Sequence, residues 1–290
     1  MLIVDPSKKY YRGNTHTHTT VSDGRKSPEE CMEVYASLGH DFLAITAHWK
    51  VGEQRKYGSM TVLKGVEYDF PVPKQALHLV ALFPGDANPD IDRSWKPQDA
   101  VRRVNELGGC VILAHPAWSL NTLETMLSLE GVRGAEIFNA VSGMPYGNDR
   151  SYSGTQLDLA ATYGMLLPQF TGDDTHYYNG ECGMGVNMVQ ADSNAPEDLI
   201  AAMKRGSLYC TQGPVIHRAE YDPETRKYTV DCSDAWRVAF YSDTPWAPNR
   251  CVEGENLTHA EYQVLDREHY IRCEVIDRNG KRAFLPPVKA

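Results

Sequence analysis

Six histidines and three carboxylates carry the chemical interest of this chain: His16, His18, Asp23, His48, Glu67, His78, His115, Asp174 and His176. Each stands at or near the end of a short apolar run. Imidazole and carboxylate together suit Zn, Mn or Fe, and nine such groups exceed what one ion can use. His16-Thr17-His18 places two imidazoles at i and i+2, which share one face of a strand. Asp174-Thr175-His176 repeats that spacing later in the chain. A lone His-x-His arises often by chance. Its recurrence as Asp-x-His, with further ligand types at other strand ends, describes a cage for more than one metal ion. Two buried imidazoles side by side would otherwise be costly to desolvate.

The neighbouring residues carry weaker signals. Asp23 beside Gly24 reads equally well as a turn residue. His115, before Pro116, gains its weight only from the series. Glu136 and Asn139 either line a pocket or make structural hydrogen bonds. Lys50, Arg55 and Lys56 follow His48 and read as a solvated loop rather than an anion grip. Trp49, Trp118, Tyr146, Tyr177 and Tyr178 follow strand ends and are candidate pocket walls. His40, after Gly39, reads as a surface turn residue, and His217, His259 and His269 as structural.

The elements that must position the ligands alternate. Strands are expected at Tyr10–His16, Phe42–His48, Thr61–Glu67, His78–Phe83, Cys110–His115, Ala135–Asn139 and Leu166–Asp174. Between them, Ser27-Pro28-Glu29-Glu30 combines an N-cap, a proline at the first helical position and a capping-box Glu. This helix should run to Leu38 and stop at Gly39. Further helices are expected at Pro97–Leu107, Leu123–Leu129, Gln156–Tyr163 and Pro196–Lys204. Strand and helix in alternation imply an α/β fold with a largely parallel sheet, here a closed barrel of about seven strands. Only ten residues, with Pro71 and Pro73 among them, separate Glu67 from His78. That is too short for a helical crossover, so this pair should be antiparallel and its two ligands should share a site.

Past Gly213-Pro214 the alternation becomes strand-like without helices, at Val215–Tyr221, Lys227–Cys232, Arg237–Ser242 and Tyr270–Asp277. Residues 1–212 therefore read as the chemical domain and 213–290 as a small all-β appendage.

The net charge of −9 argues against a long nucleic acid partner, which is held mainly by Lys and Arg. A small anionic substrate stays compatible, because divalent ions would add positive charge where the carboxylates sit. No apolar run is long enough to span a membrane. Seven scattered cysteines without a Cys-x-x-Cys pair suit a reduced, cytoplasmic protein better than a disulfide framework. The oligomeric state is left open.

The string Tyr11-Arg12-Gly13-Asn14-Thr15-His16-Thr17-His18-Thr19-Thr20, followed by Ser22-Asp23-Gly24, resembles the opening motif of the PHP (polymerase and histidinol phosphatase) superfamily. Ile45-Thr46-Ala47-His48, Gly65-Val66-Glu67, Leu113-Ala114-His115-Pro116 and Gly172-Asp173-Asp174-Thr175-His176 resemble its later motifs, in order. The first motif, the Asp173–His176 string and the β tail are most similar to the CehA/McbA-like branch. The resemblance implies a distorted (β/α)7 PHP-type barrel holding two or three divalent ions (Mn, Fe or Zn). It implies His16, His18, Glu67 and Asp174 on one ion, and Glu67, His78 and His115 on a second. Asp23, His48 and His176 would hold a third. The chain departs at Ala47, where the family usually carries a supporting Asp.

The chemistry so implied is hydrolysis by a metal-bridging hydroxide, with Glu67 as bridge and Asp174 or His176 moving the proton. Phosphate ester hydrolysis, of a monoester or cyclic phosphodiester, is the leading expectation. A carboxyl-type hydrolase (ester, amide or carbamate) is the alternative, and a non-catalytic metal-binding module the third reading.

Overall fold

One mixed sheet of 16 strands organises the computed structural model, which describes residues 1–290, and five α-helices lie along it. The first nine strands are β1 (Leu2–Val4), β2 (Tyr10–Asn14), β3 (Phe42–Ile45), β4 (Arg55–Tyr57), β5 (Met60–Val72), β6 (Gln75–Phe83), β7 (Cys110–Leu113), β8 (Gly134–Asn139) and β9 (Gln169–Gly172). Apart from β1 and β4, they neighbour one another in chain order, β2-β3-β5-β6-β7-β8-β9. These are the seven strands expected from the sequence. The pairs β2/β3, β3/β5, β7/β8 and β8/β9 are parallel, and β6 is antiparallel to both of its neighbours.

Beyond the two outer strands of this run, the backbones meet. Thr17 pairs with Thr175 in parallel, His18 N donates to the Thr175 carbonyl at 3.0 Å, and Asp174 N donates to the His16 carbonyl at 2.9 Å. The seven-strand array therefore turns back on itself at the end that carries both ligand tripeptides.

The antiparallel β5/β6 hairpin forms as its short connection requires, but it is longer than expected. β5 continues past Glu67 to Val72, and Pro71 is tolerated near the tip opposite Ala76. Asp69 pairs with His78 in this register, so parity puts Glu67, Asp69 and His78 on one face.

The helices are α1 (Pro28–Ser37), α2 (Pro97–Glu106), α3 (Leu123–Leu127), α4 (Gly154–Thr162) and α5 (Pro196–Arg205). Ser27 and Glu30 form the expected reciprocal capping box at α1, worth about 1 kcal/mol. The remaining strands are β10 (Val186–Gln190), β11 (Leu208–Thr211), β12 (Ile216–Asp222), β13 (Lys227–Tyr241), β14 (Cys251–Gln263), β15 (Tyr270–Ile276) and β16 (Arg282–Lys289). β10 and β11, not foreseen, join β2 to β16, and β1 pairs with β12. A core of 43 buried residues underlies the helix-bearing part, and a second of 20 lies mainly between the late strands. Buried Arg272 on β15 reaches across to Asp158 on α4 at 2.6 Å, fastening the late strands to the helical layer. No helix is long and apolar enough to cross a membrane.

Candidate metal centre

All nine ligand-type residues converge at the end of the array where β2 and β9 close. They form three overlapping groups, in each of which the donor atoms lie within 4.8 Å of one another. His16, His18, Glu67 and Asp174 make the first, Glu67, His78 and His115 the second, and His18, Asp23, His48 and His176 the third. Glu67 is shared through different oxygens. Its Oε2 lies 2.9 Å from His18 Nε2 and 3.3 Å from His16 Nε2, while its Oε1 lies 2.9 Å from His78 Nδ1 and 3.4 Å from His115 Nε2. Asp174 Oδ1 stands 3.2 Å from the Nε2 atoms of both His16 and His18. Asp23 reaches His18, His176 and His48 at 3.2, 3.3 and 3.6 Å. The third group thus includes His18, beyond the three residues expected.

Glu136, left open between lining and structural roles, turns out to organise the buried side. It accepts from His16 Nδ1 at 2.8 Å, from the His115 backbone N–H at 2.8 Å and from Asn139 Nδ2 at 2.8 Å. Holding the proton on Nδ1 leaves the His16 Nε2 lone pair aimed at the cluster. Gly172 makes room for this arrangement, because a Cβ there would stand 2.0 Å from Glu136 Oε1. The only sequence sign of Glu136 was a carboxylate inside an apolar strand. His115, Asp174 and Trp49 have left-handed backbones (φ 31, 51 and 53), which costs about 1–3 kcal/mol each and is sustained by the surrounding packing.

Two more carboxylates shape the approach. Asp173 is buried and accepts from the Tyr35 hydroxyl at 2.9 Å and from Gly183 N at 2.6 Å, and burial pushes its carboxyl up to about 7. Glu181 accepts the backbone N–H groups of Tyr177, Tyr178 and Asn179 at 2.6, 2.7 and 2.7 Å, fixing the loop that carries Tyr177.

The electrostatics of the cluster call for added positive charge. Burial opposes protonation of His16 and His18, yet the carboxylates around them, Asp174 and Glu67 above all, push both imidazoles well above their ordinary range. Burial likewise opposes ionisation of Glu67, and His16 and His78 outweigh it, holding the carboxyl well below normal. Asp174 Oδ1 and His48 Nδ1 are buried with no hydrogen-bond partner. Buried polar atoms are rarely left so. Orphaned donors of nitrogen and oxygen type converging on shared points fit divalent metal ions.

The cluster floors a pocket of about 270 Å³ walled by Trp118, Val141, Ser142, Tyr146 and Tyr177, with no Lys or Arg in its lining. Trp118, Tyr146 and Tyr177 thus line it as expected. Trp49 faces a neighbouring groove, and the Tyr178 hydroxyl donates to the His18 carbonyl at 2.7 Å. Lys50 donates to the Val21 carbonyl, Arg55 pairs with Glu29, and Lys56 contacts Thr61 and Asn194, so none of the three points at the pocket. His40 is not on the surface. It is 4% exposed, because its N–H folds back onto the Tyr35 carbonyl and its ring packs edge-on to Tyr35 at 5.0 Å. Ala47 is buried and presents no polar group beside His48; the nearest additional carboxylate is Asp69, 3.7 Å from His48 Nδ1.

No protein-family model matches the chain, and no curated protein matches it. Among solved structures it is similar to a two-domain protein from Bacteroides vulgatus ATCC 8482, described as containing a predicted PHP-like metal-dependent phosphoesterase. That likeness has a TM-score of 0.54 at 14% identity, and it covers 98% of this chain and 96% of the other. It establishes a shared fold along nearly the whole length. Weaker likenesses link it to a putative metal-dependent phosphoesterase from Bifidobacterium adolescentis ATCC 15703 (TM-score 0.41, 16% identity, 57% of this chain and 87% of that). An amidohydrolase from Chromobacterium violaceum is also similar (TM-score 0.45, 15% identity, 68% of this chain and 96% of that).

Proposed function

We propose that this chain is a metal-dependent hydrolase of the PHP type, acting on a small phosphate monoester or cyclic phosphodiester. In this reading the seven in-order strands form a distorted (β/α)7 barrel, residues 1–212 carry the chemistry and 213–290 form an accessory β domain. The observation that carries it is the overlap of three donor groups through Glu67 and His18 on the floor of a pocket.

His16, His18, Glu67 and Asp174 would hold one ion, Glu67, His78 and His115 a second, and Asp23, His48 and His176, with His18, a third. Bound there, divalent ions supply Lewis acidity and lower the pKa of water. A phosphoryl group in transfer spreads negative charge over three oxygens. With no Lys or Arg in the pocket lining, that charge must be met by the cluster itself. Glu136 holds the His16 tautomer. His176 Nδ1 lies 2.7 Å from the Asp174 carbonyl, which orients the ring, and in this reading either Asp174 or His176 moves the proton. Trp118, Val141 and Tyr177 wall the pocket and lessen its contact with bulk water.

The same lack of a cationic side chain, together with the apolar wall, favours a second reading, hydrolysis of a carboxyl ester, amide or carbamate at this centre. Protein loaded with Mn, Fe or Zn should be assayed on p-nitrophenyl phosphate, bis(p-nitrophenyl) phosphate, p-nitrophenyl acetate and an aryl carbamate. Turnover of a phosphate substrate is expected. Turnover of acetate or carbamate alone would replace the first reading with the second.

A further inference from the structure

On the other side of His78 from the pocket lies a groove of about 580 Å³, and His78 lines both. Its walls come from the loop after β3 (Trp49), from the β5/β6 hairpin (Asp69, Phe70, Gln75) and from the segment before α2 (Arg93, Trp95). This surface is built, not incidental. Trp49 follows the ligand His48 directly, sits in the left-handed region at φ 53, and donates its backbone N–H to the Glu67 carbonyl at 2.9 Å. Its ring is locked edge-on between Tyr68 (5.1 Å) and Phe70 (5.3 Å), and its Nε1–H donates to the Asp69 carbonyl at 3.3 Å. A strained aromatic held rigidly beside two metal-type ligands marks a functional surface.

The charge in the groove is equally specific. The Arg93 guanidinium lies over the Trp49 ring at 5.4 Å, a cation–π contact, and forms no ion pair. Arg102 and Arg103, on the helix that follows, are by contrast paired with Asp99 and Asp90. Asp69 belongs to the cluster end, 3.7 Å from His48 Nδ1. The groove therefore presents aromatic walls and an unpaired cation, and it shares His78 with the pocket above the cluster.

We propose that this groove is the subsite for the leaving group, and that it takes a planar aryl group bearing a carboxylate. The proposal rests on the hydrolase reading for the bond that is cut, but not for the binding itself. Trp95 would flank the ring, and Arg93, held over buried Trp49, would bond the carboxylate and so select for it. Charge-assisted hydrogen bonds of this kind are the strong ones.

The test uses the full-length chain loaded with Mn(II). The ratio of kcat/KM for 4-carboxyphenyl phosphate to that for phenyl phosphate should favour the carboxylate in the wild type. Arg93→Ala should lower that ratio about tenfold or more, with Arg93→Lys in between. Arg102→Ala, on the exposed face of α2, serves as the control. In parallel, calorimetric titration with 4-hydroxybenzoate, with phenol as the uncharged probe, reads binding without turnover. Weaker 4-hydroxybenzoate binding in Arg93→Ala upholds the subsite even if neither phosphate ester is hydrolysed, in which case only the phosphoesterase reading fails. A wild type that does not distinguish the probes, or an unchanged ratio and unchanged affinity in Arg93→Ala, overturns the proposal.

Discussion

The two halves of the ligand cluster differ in how firmly the fold holds them. His16, His18, Glu67 and Asp174 are buried, and Glu136, Asn139 and the backbone pairing of Thr17 with Thr175 fix their geometry from behind. Asp23, His48 and His176 face the pocket, with side chains 49%, 24% and 19% exposed. No carboxylate at position 47 supports His48, and its Nδ1 is left without a partner. The buried half is preorganised by packing that ordinary folding supplies. The open half depends on ions and solvent to complete it. Tight, permanent metal binding should therefore belong to the first half and exchangeable binding to the second.

Breaking the buried half should have the largest effect. His16→Ala or Asp174→Ala should abolish metal retention and turnover together, read by elemental analysis and by the phosphate ester assay. Each also leaves neighbouring charges buried without their partner, so a circular dichroism melt should accompany the measurement. Full turnover without bound metal would mean that the chemistry lies elsewhere.

Next in size is the support beneath it. Glu136→Gln should weaken metal affinity by ~10–100-fold, as loss of an orienting carboxylate does. Gly172→Ala should act in the same direction, since its Cβ would displace the Glu136 carboxylate from His16. Competition with a chelator of known affinity measures both. An unchanged affinity in Glu136→Gln would show that the His16 orientation needs no help.

Asp23→Asn should cost less. It touches only the open group, so the expected loss is the weakest-bound equivalent of metal, with the rest retained through dialysis. If all metal leaves together, the two halves are one cooperative unit and the contrast between them is false.

Much of this contrast was legible in residue spacing. The tripeptides His16-Thr17-His18 and Asp174-Thr175-His176 announce themselves because i and i+2 would share a face in a strand, although β2 and β9 end at Asn14 and Gly172 and the ligands stand just beyond them. The ten-residue Glu67–His78 gap likewise dictated an antiparallel pair. Parity assigns a face but never a partner, which is why Glu136 stayed undecided until its distance to His16 was seen. β14 was invisible for a different reason: it runs along the edge of β13, largely exposed, so its residues carry no apolar alternation to read. His40 was misplaced because a glycine stop followed by a polar residue normally faces water, whereas here the chain folds back onto Tyr35.

His40 also supplies the smallest effect and a control for the rest. Burial, with a lesser push from Arg12, lowers its imidazole to about 4 from an ordinary value near 6.5. Below pH 6.5 the unfolded chain takes up a proton here that the folded chain refuses until about pH 4. Stability present above that window is therefore lost progressively as pH falls through it, by about 3 kcal/mol at most. Denaturant titrations from pH 7 to pH 4 on metal-free protein should show that decline, and His40→Leu should flatten its share while leaving neutral-pH turnover near wild type. Metal loss in acid has another origin, since protons compete for His16 and His18 directly. If His40→Leu leaves the acid decline in stability unchanged, the decline does not come from His40, and carboxylates held below their normal range, Glu67 and Asp174 of the buried half among them, are the groups to test next.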